Sequence, residues 1–239
     1  MGCDIHAWAE VRQPDGSWRV VTERVFPDPY WREENAVEDG SKYYHGPTTN
    51  RPISRRNYNL FAVLADVRNG RGFAGIPTGM GFEPISKPKG VPDDATPEYQ
   101  KEVQDWGVDG HSHSWLTVAE ILEFFKKTRT TVLFGVFSER EYVKMLRTGK
   151  KSYSGFVDGQ SAVILNPEQY EEMLPDVFET LMTSKEPKKR DPDKHYFIRY
   201  AWEQSYEDSI GPSFFEDTLP ALEKLGPTTD VRLVFFFDN

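Results

Sequence analysis

Cysteine is almost missing from this chain: Cys3 stands alone among 239 residues, so no intrachain disulfide can form and a reducing, cytoplasmic setting is expected. Long apolar runs are missing as well. The opening residues include Asp4, His6 and Glu10, so neither a signal peptide nor a membrane span is expected, and no membrane partner. Positive charge is in deficit. With a net charge of -9 the surface repels phosphate backbones, which argues against a nucleic-acid polymer as partner. The one basic run, Lys185-Glu186-Pro187-Lys188-Lys189-Arg190, is broken by proline and followed by Asp191-Pro192-Asp193, the pattern of a solvated loop. Catalytic signatures are scarce too. The glycines form no phosphate loop or dinucleotide fingerprint, Ser112 and Ser114 lie in no Gly-x-Ser-x-Gly elbow, and no two His-x-Ser/Thr pairs occur.

Aromatic residues, by contrast, make up 14% of the chain and supply much of the area available for burial. The length suits one domain, 1–239, with a Gly/Pro-rich loop or lid at about 68–110 in which only 97–105 has helical character. Residues 3–11 alternate apolar and polar, Pro14-Asp15-Gly16-Ser17 makes a turn, and 18–25 is β-prone, which predicts a hairpin. Tyr58, Phe61, Leu64 and Ala65 predict an amphipathic helix over 57–67. Thr117 with Glu120, and Ser138 with Glu141, are capping boxes that start two further helices. Asp158-Gly159 signals a hairpin turn, and Asn166-Pro167 opens a helix. The last quarter reads as strand 195–205, helix 213–225 and strand 231–237. The expected fold class is therefore α+β: a mixed, mostly antiparallel sheet with helices mainly on one face and long irregular loops.

Three of the five histidines fall in two clusters, Asp4-Ile5-His6 and Asp109-Gly110-His111-Ser112-His113. Along an extended backbone, residues two apart share a face, so each carboxylate can point with its histidines. That combination suits a divalent metal, zinc or manganese, or acid/base chemistry. The candidate catalytic set is Asp4, His6, Asp109, His111 and His113, with His6, Asp109, His111 and His113 as metal ligands. Arg56, Arg68, Asn57 and His45 are candidate substrate-binding residues, and Arg55 also brackets the first helix, where arginines can clamp an anion by paired hydrogen bonds. A plainer assignment competes. In it Asp109 caps a turn, His111 is exposed, His113 packs beside Trp115, and His6 lies with Trp8 and Glu10 on the solvent face of an edge hairpin. Cys3 falls with Ile5, Ala7, Ala9 and Val11 on the apolar face and reads as core.

Met1-Gly2-Cys3-Asp4-Ile5-His6, Arg56-Asn57-Tyr58-Asn59-Leu60-Phe61, Ala65-Asp66-Val67-Arg68-Asn69, Glu83 to Pro92, Asp109 to Leu116 and the closing Phe235-Phe236-Phe237-Asp238-Asn239 together resemble a set of hypothetical proteins of phages and bacteria that open with this hexapeptide. The stretch from Gly70 to Gly81 is longer and richer in glycine than in that pattern. The resemblance implies a phage or mobile-element origin and a pocket built from these segments, and it brings no activity with it. Two functional expectations follow. One is a metal-dependent hydrolase of a phosphoester or nucleotide-like small molecule. The other is a non-catalytic phage-type binding protein that captures a small anionic ligand, such as a nucleotide signal, or a host protein.

Overall fold

Alternation at the start of the chain produces β1 (Ile5–Arg12), which turns through Pro14 to Ser17 into β2 (Trp18–Val20). Gly16 occupies the left-handed position of that turn (φ 86°), and the Asp15 carboxylate accepts the Ser17 amide at 2.9 Å. The structure is a computed structural model describing residues 2–28, 48–72, 75–151, 161–173, 191 and 193–238. Its contacts group the chain into two compact units, Met1–Gly75 with Gly81–Thr131 and Gln204–Asn239, and Ile76–Met80 with Val132–Glu203. The expected Asp158-Gly159 turn lies outside the described residues. The architecture is α+β, with mostly antiparallel sheets. Among the described residues no helix is long and apolar enough to cross a membrane.

In the first unit, the short pair β3 (Phe26–Pro27) and β4 (Thr48–Thr49) precedes α1 (Tyr58–Ala65). Asn57 caps that helix by accepting the Leu60 amide, and Asp66 ends it in the left-handed region. Leu60 through Ala65 are all buried, so α1 is an interior helix rather than the amphipathic one expected. Next come α2 (Pro97–Trp106), a 3-10 turn Gly107–Asp109, β5 (His111–Thr117) and α3 (Val118–Phe125). Both hydrogen bonds of the Thr117–Glu120 capping box are present.

The unit is organised around its last strand. That strand is Val231–Phe237, numbered β9 below, and all seven of its residues are buried. It runs antiparallel to β1 on one side and to β5 on the other, in a sheet of order β2-β1-β9-β5. Phe61 of α1 meets the Phe237 ring on one face, whereas Tyr99 of α2 meets Phe236 on the other and donates its hydroxyl to the Phe235 carbonyl at 2.9 Å. The stretch expected to be a loop or lid thus contributes Phe82, Ala95 and Tyr99 to buried positions.

In the second unit, β6 (Thr130–Ser138) enters from the first and leads into α4 (Glu139–Thr148), again through a complete capping box, Ser138 with Glu141. β7 (Ala162–Leu165), a helix described over 167–173 (α5) and β8 (His195–Ser205) follow, in a sheet of order β6-β8-β7 with β7 parallel to β8. Phe137, Trp202, Tyr200, Tyr142 and Tyr170 form its aromatic core. Back in the first unit, α6 (Tyr206–Ile210), a π-helical turn Ser213–Thr218 and α7 (Leu219–Glu223) lead to β9 (Val231–Phe237).

Candidate functional site

β9 brings the two histidine clusters to the same strand from opposite sides. His6 is the cross-strand partner of Phe236, and His111 that of Phe237. The His6 ring stacks on Phe236 (4.7 Å between centroids, 9° between planes) and touches Trp106 at 4.3 Å. Its Nε2 lies 3.3 Å from Asp238 Oδ2, and its Nδ1 3.7 Å from Glu102 Oε1. Asp238 is itself held, since its Oδ1 accepts the Asp4 amide at 2.8 Å. The Asp238 contacts follow from register, since in an antiparallel pair the residue just past the end of one strand lies beside the start of the other, whereas Glu102 reaches His6 from α2.

The histidines of β5 do not share a face. Between His111 and Ser114 the ladder slips by one residue, because His111 pairs with Phe237 and Ser114 with Phe235. Ser112 adopts a left-handed conformation (φ 53°) at this bulge. Successive residues of β9 point to opposite faces, so His111 goes with Phe237, its ring centroid 6.1 Å away, and His113 goes with Phe236 at 5.1 Å. The expectation that residues two apart point together fails here because a bulge resets the alternation. His111 Nδ1 lies 3.0 Å from Ser112 Oγ, while His111 Nε2 and His113 Nδ1 are buried without a hydrogen-bond partner. Burial lowers the pKa of His113 and the nearby His111 adds to this, against an opposing hydrogen bond with the Gly110 backbone.

Asp109 is exposed in the 3-10 turn before β5. Asp4 is engaged elsewhere, accepting two hydrogen bonds from Arg56: Nε at 2.9 Å and Nη2 at 2.6 Å. That hydrogen-bonded guanidinium holds the Asp4 carboxyl below its usual range, only partly offset by burial. Among the described residues no group of three or more His, Cys, Asp or Glu side chains could hold a metal ion. Of the donors expected for zinc or manganese, His6 and His113 lie against Phe236, His111 lies near Phe237, and Asp109 is exposed.

The plainer assignment needs correcting too. The hairpin does lie at the edge of its sheet, but Glu10 is not on a solvent face: it is fully buried and paired with the buried Arg232 at 2.8 Å. Cys3 is core as expected, with burial raising its thiol pKa against a lowering contact from Arg68. Arg68 lies over Tyr58 and donates to the Gly2 carbonyl at 3.5 Å. His45 lies outside the described residues.

Two of the expected binding residues do border a concavity. A pocket of about 200 Å³ at the start of α1 is lined by Arg55, Arg56 and Asn57 on one side and by residues 210–214, 217 and 218 on the other. Asn57 is fully committed to the scaffold: its Oδ1 caps α1, and its Nδ2 donates to the Ile210 carbonyl at 2.7 Å. Thr218 donates to the Pro52 carbonyl at 2.9 Å, tying the opposite wall to the loop before α1. Leu60 and Phe214 give apolar lining, whereas Ser54, Arg55, Arg56, Ser213 and Asp217 give polar groups. Sequence reading passed over Phe214 and Asp217, since nothing local marks residues that reach the site through a distant π-helical turn. Pro212-Ser213, a helix-start signal, was the available hint. Comparison with family models, curated proteins and solved structures gives no match for this chain.

Proposed function

We propose that this protein binds a compact anionic small molecule, a phosphate or carboxylate compound, in the pocket at the start of α1, as a binding protein rather than a metal-dependent hydrolase. The observation that carries this reading is the pairing of two adjacent arginines with an apolar lining and an acidic side chain in one pocket of about 200 Å³. Such a volume lies below the range of drug-sized ligand sites, so the ligand is small. Asp4 fixes Arg56 by occupying Nε and Nη2, which leaves Nη1 as the edge free to donate to an incoming anion. Arg55 supplies a second permanent positive charge. The apolar part of the ligand rests on Leu60 and Phe214, and Asp217 accepts from a ligand hydroxyl or amine. The hydrolase alternative lacks comparable support, because its donors are spread over two faces of one sheet.

The test is calorimetric titration with a panel of small phosphate esters, carboxylates and their neutral analogues. Binding of one anionic class, weakened at least tenfold (about 1.4 kcal/mol) in an Arg55→Glu variant, supports the reading. Binding of the neutral analogues alone, or an unchanged affinity in Arg55→Glu, refutes it.

A further inference from the structure

The second unit carries a surface unrelated to that pocket. Helix α4 turns Tyr142 and Met145 inward, Tyr142 packing edge-on to Tyr170 with ring centroids 5.6 Å apart. Arg140, Lys144 and Arg147, spaced four and three residues apart, therefore form one exposed stripe about 10 Å long. Glu141 does not neutralise the stripe, since its carboxylate is turned back to accept the Ser138 amide and hydroxyl, each at 2.8 Å. No ion pair among the described residues engages the three cations. Like charges at these spacings destabilise a helix on its own.

The stripe borders an open hollow of about 530 Å³ whose apolar lining is Val143 and Tyr170, with Glu139 and Thr148 also on its wall. Leu146, 58% exposed, adds an apolar side chain to the same helix. We infer that α4 is a docking surface for an acidic segment of a partner protein. Carboxylates of the segment meet Arg140, Lys144 and Arg147, and one apolar side chain seats on Val143 and Tyr170. A phosphate backbone would use the cations yet leave the apolar floor uncovered, and the chain's net charge of -9 opposes a long polyanion. A short acidic peptide satisfies both features.

The probe is a fluorescein-labelled peptide of Glu and Asp around a single Trp, titrated with the full chain and read by anisotropy. Controls are a Lys-for-acid peptide and a labelled single-stranded oligonucleotide. The acidic peptide binds, binding weakens as salt rises, and combined Arg140→Glu, Lys144→Glu and Arg147→Glu substitutions reduce it at least tenfold while helical circular dichroism is unchanged. A neutral version with Gln at all three positions gives an intermediate loss and guards against a folding defect. The inference is overturned if the acidic peptide does not bind, if the Glu and Gln variants bind it like the parent, or if the oligonucleotide binds more tightly than the peptide.

Discussion

Removing one partner of the buried Glu10–Arg232 pair tests the frame that aligns the candidate residues. The two are cross-strand neighbours in the β1–β9 ladder, so their pairing helps set the register that also puts His6 opposite Phe236. Glu10 makes three contacts: Arg232 Nε at 2.8 Å, Thr96 Oγ1 at 2.6 Å and the Thr96 amide at 3.2 Å. In Glu10→Ala the guanidinium keeps Asp94 at 2.7 Å and lies over Trp18 at 4.0 Å, so it is not wholly stranded. The expected cost is therefore near the lower end of the range for breaking a buried pair, about 3 kcal/mol. That is a large fraction of the 5–15 kcal/mol typical of a folded chain. Urea denaturation followed by circular dichroism should show the midpoint falling by roughly 1–2 M at an unchanged slope. The double variant Glu10→Leu, Arg232→Met removes both charges; it leaves the buried Thr96 groups without their acceptor, a penalty of about 1–3 kcal/mol, and takes Arg232 from Asp94, whose largely exposed carboxylate keeps the Trp18 indole at 2.8 Å. It should be more stable than Glu10→Ala. If Glu10→Ala costs less than about 1 kcal/mol, or the double variant is the less stable of the two, the pair does not hold the register as argued.

Two further outcomes concern the bulge in β5. Because burial depresses the pKa of His113 below 6.5, the unfolded chain binds the extra proton first as pH falls. Its contribution to stability is complete above about pH 6.5 and is lost on acidification through the lower folded-state value, so chemical denaturation across pH 5 to 7 should show a slope that His113→Gln flattens. At Ser112, held at φ 53°, a Val substitution should cost about 1–2 kcal/mol whereas Gly is nearly neutral. Equal thermal midpoints for the two variants would remove the bulge from the explanation of why His111 and His113 part.

Much of the fold was legible because its signals are local. The capping boxes at Thr117 and Ser138 satisfy helix amides within four residues, and the turn at Gly16 needs only its own left-handed backbone, so both read directly from the chain. The final strand was equally plain from Val231–Phe237. Helix α1 was located correctly but misjudged in character, since its apolar residues fill all sides once it lies inside the unit. Within the candidate site, Arg56 and Asn57 were identified by type, yet Asn57 proves to be a brace between α1 and α6, and the carboxylate of Asp4 proves to be the partner of Arg56.

What the amino-acid order determined by itself, then, was where helices, turns and strands begin and end, because capping, turn geometry and alternation act over a few residues. Only the tertiary structure decided which side chains meet. The insertion of β9 between β1 and β5 places Phe236 between His6 and His113, and a one-residue slip sends His111 to the other face. Strand order and register are set by burial of the whole sheet, a sum over distant residues that no short stretch of sequence contains.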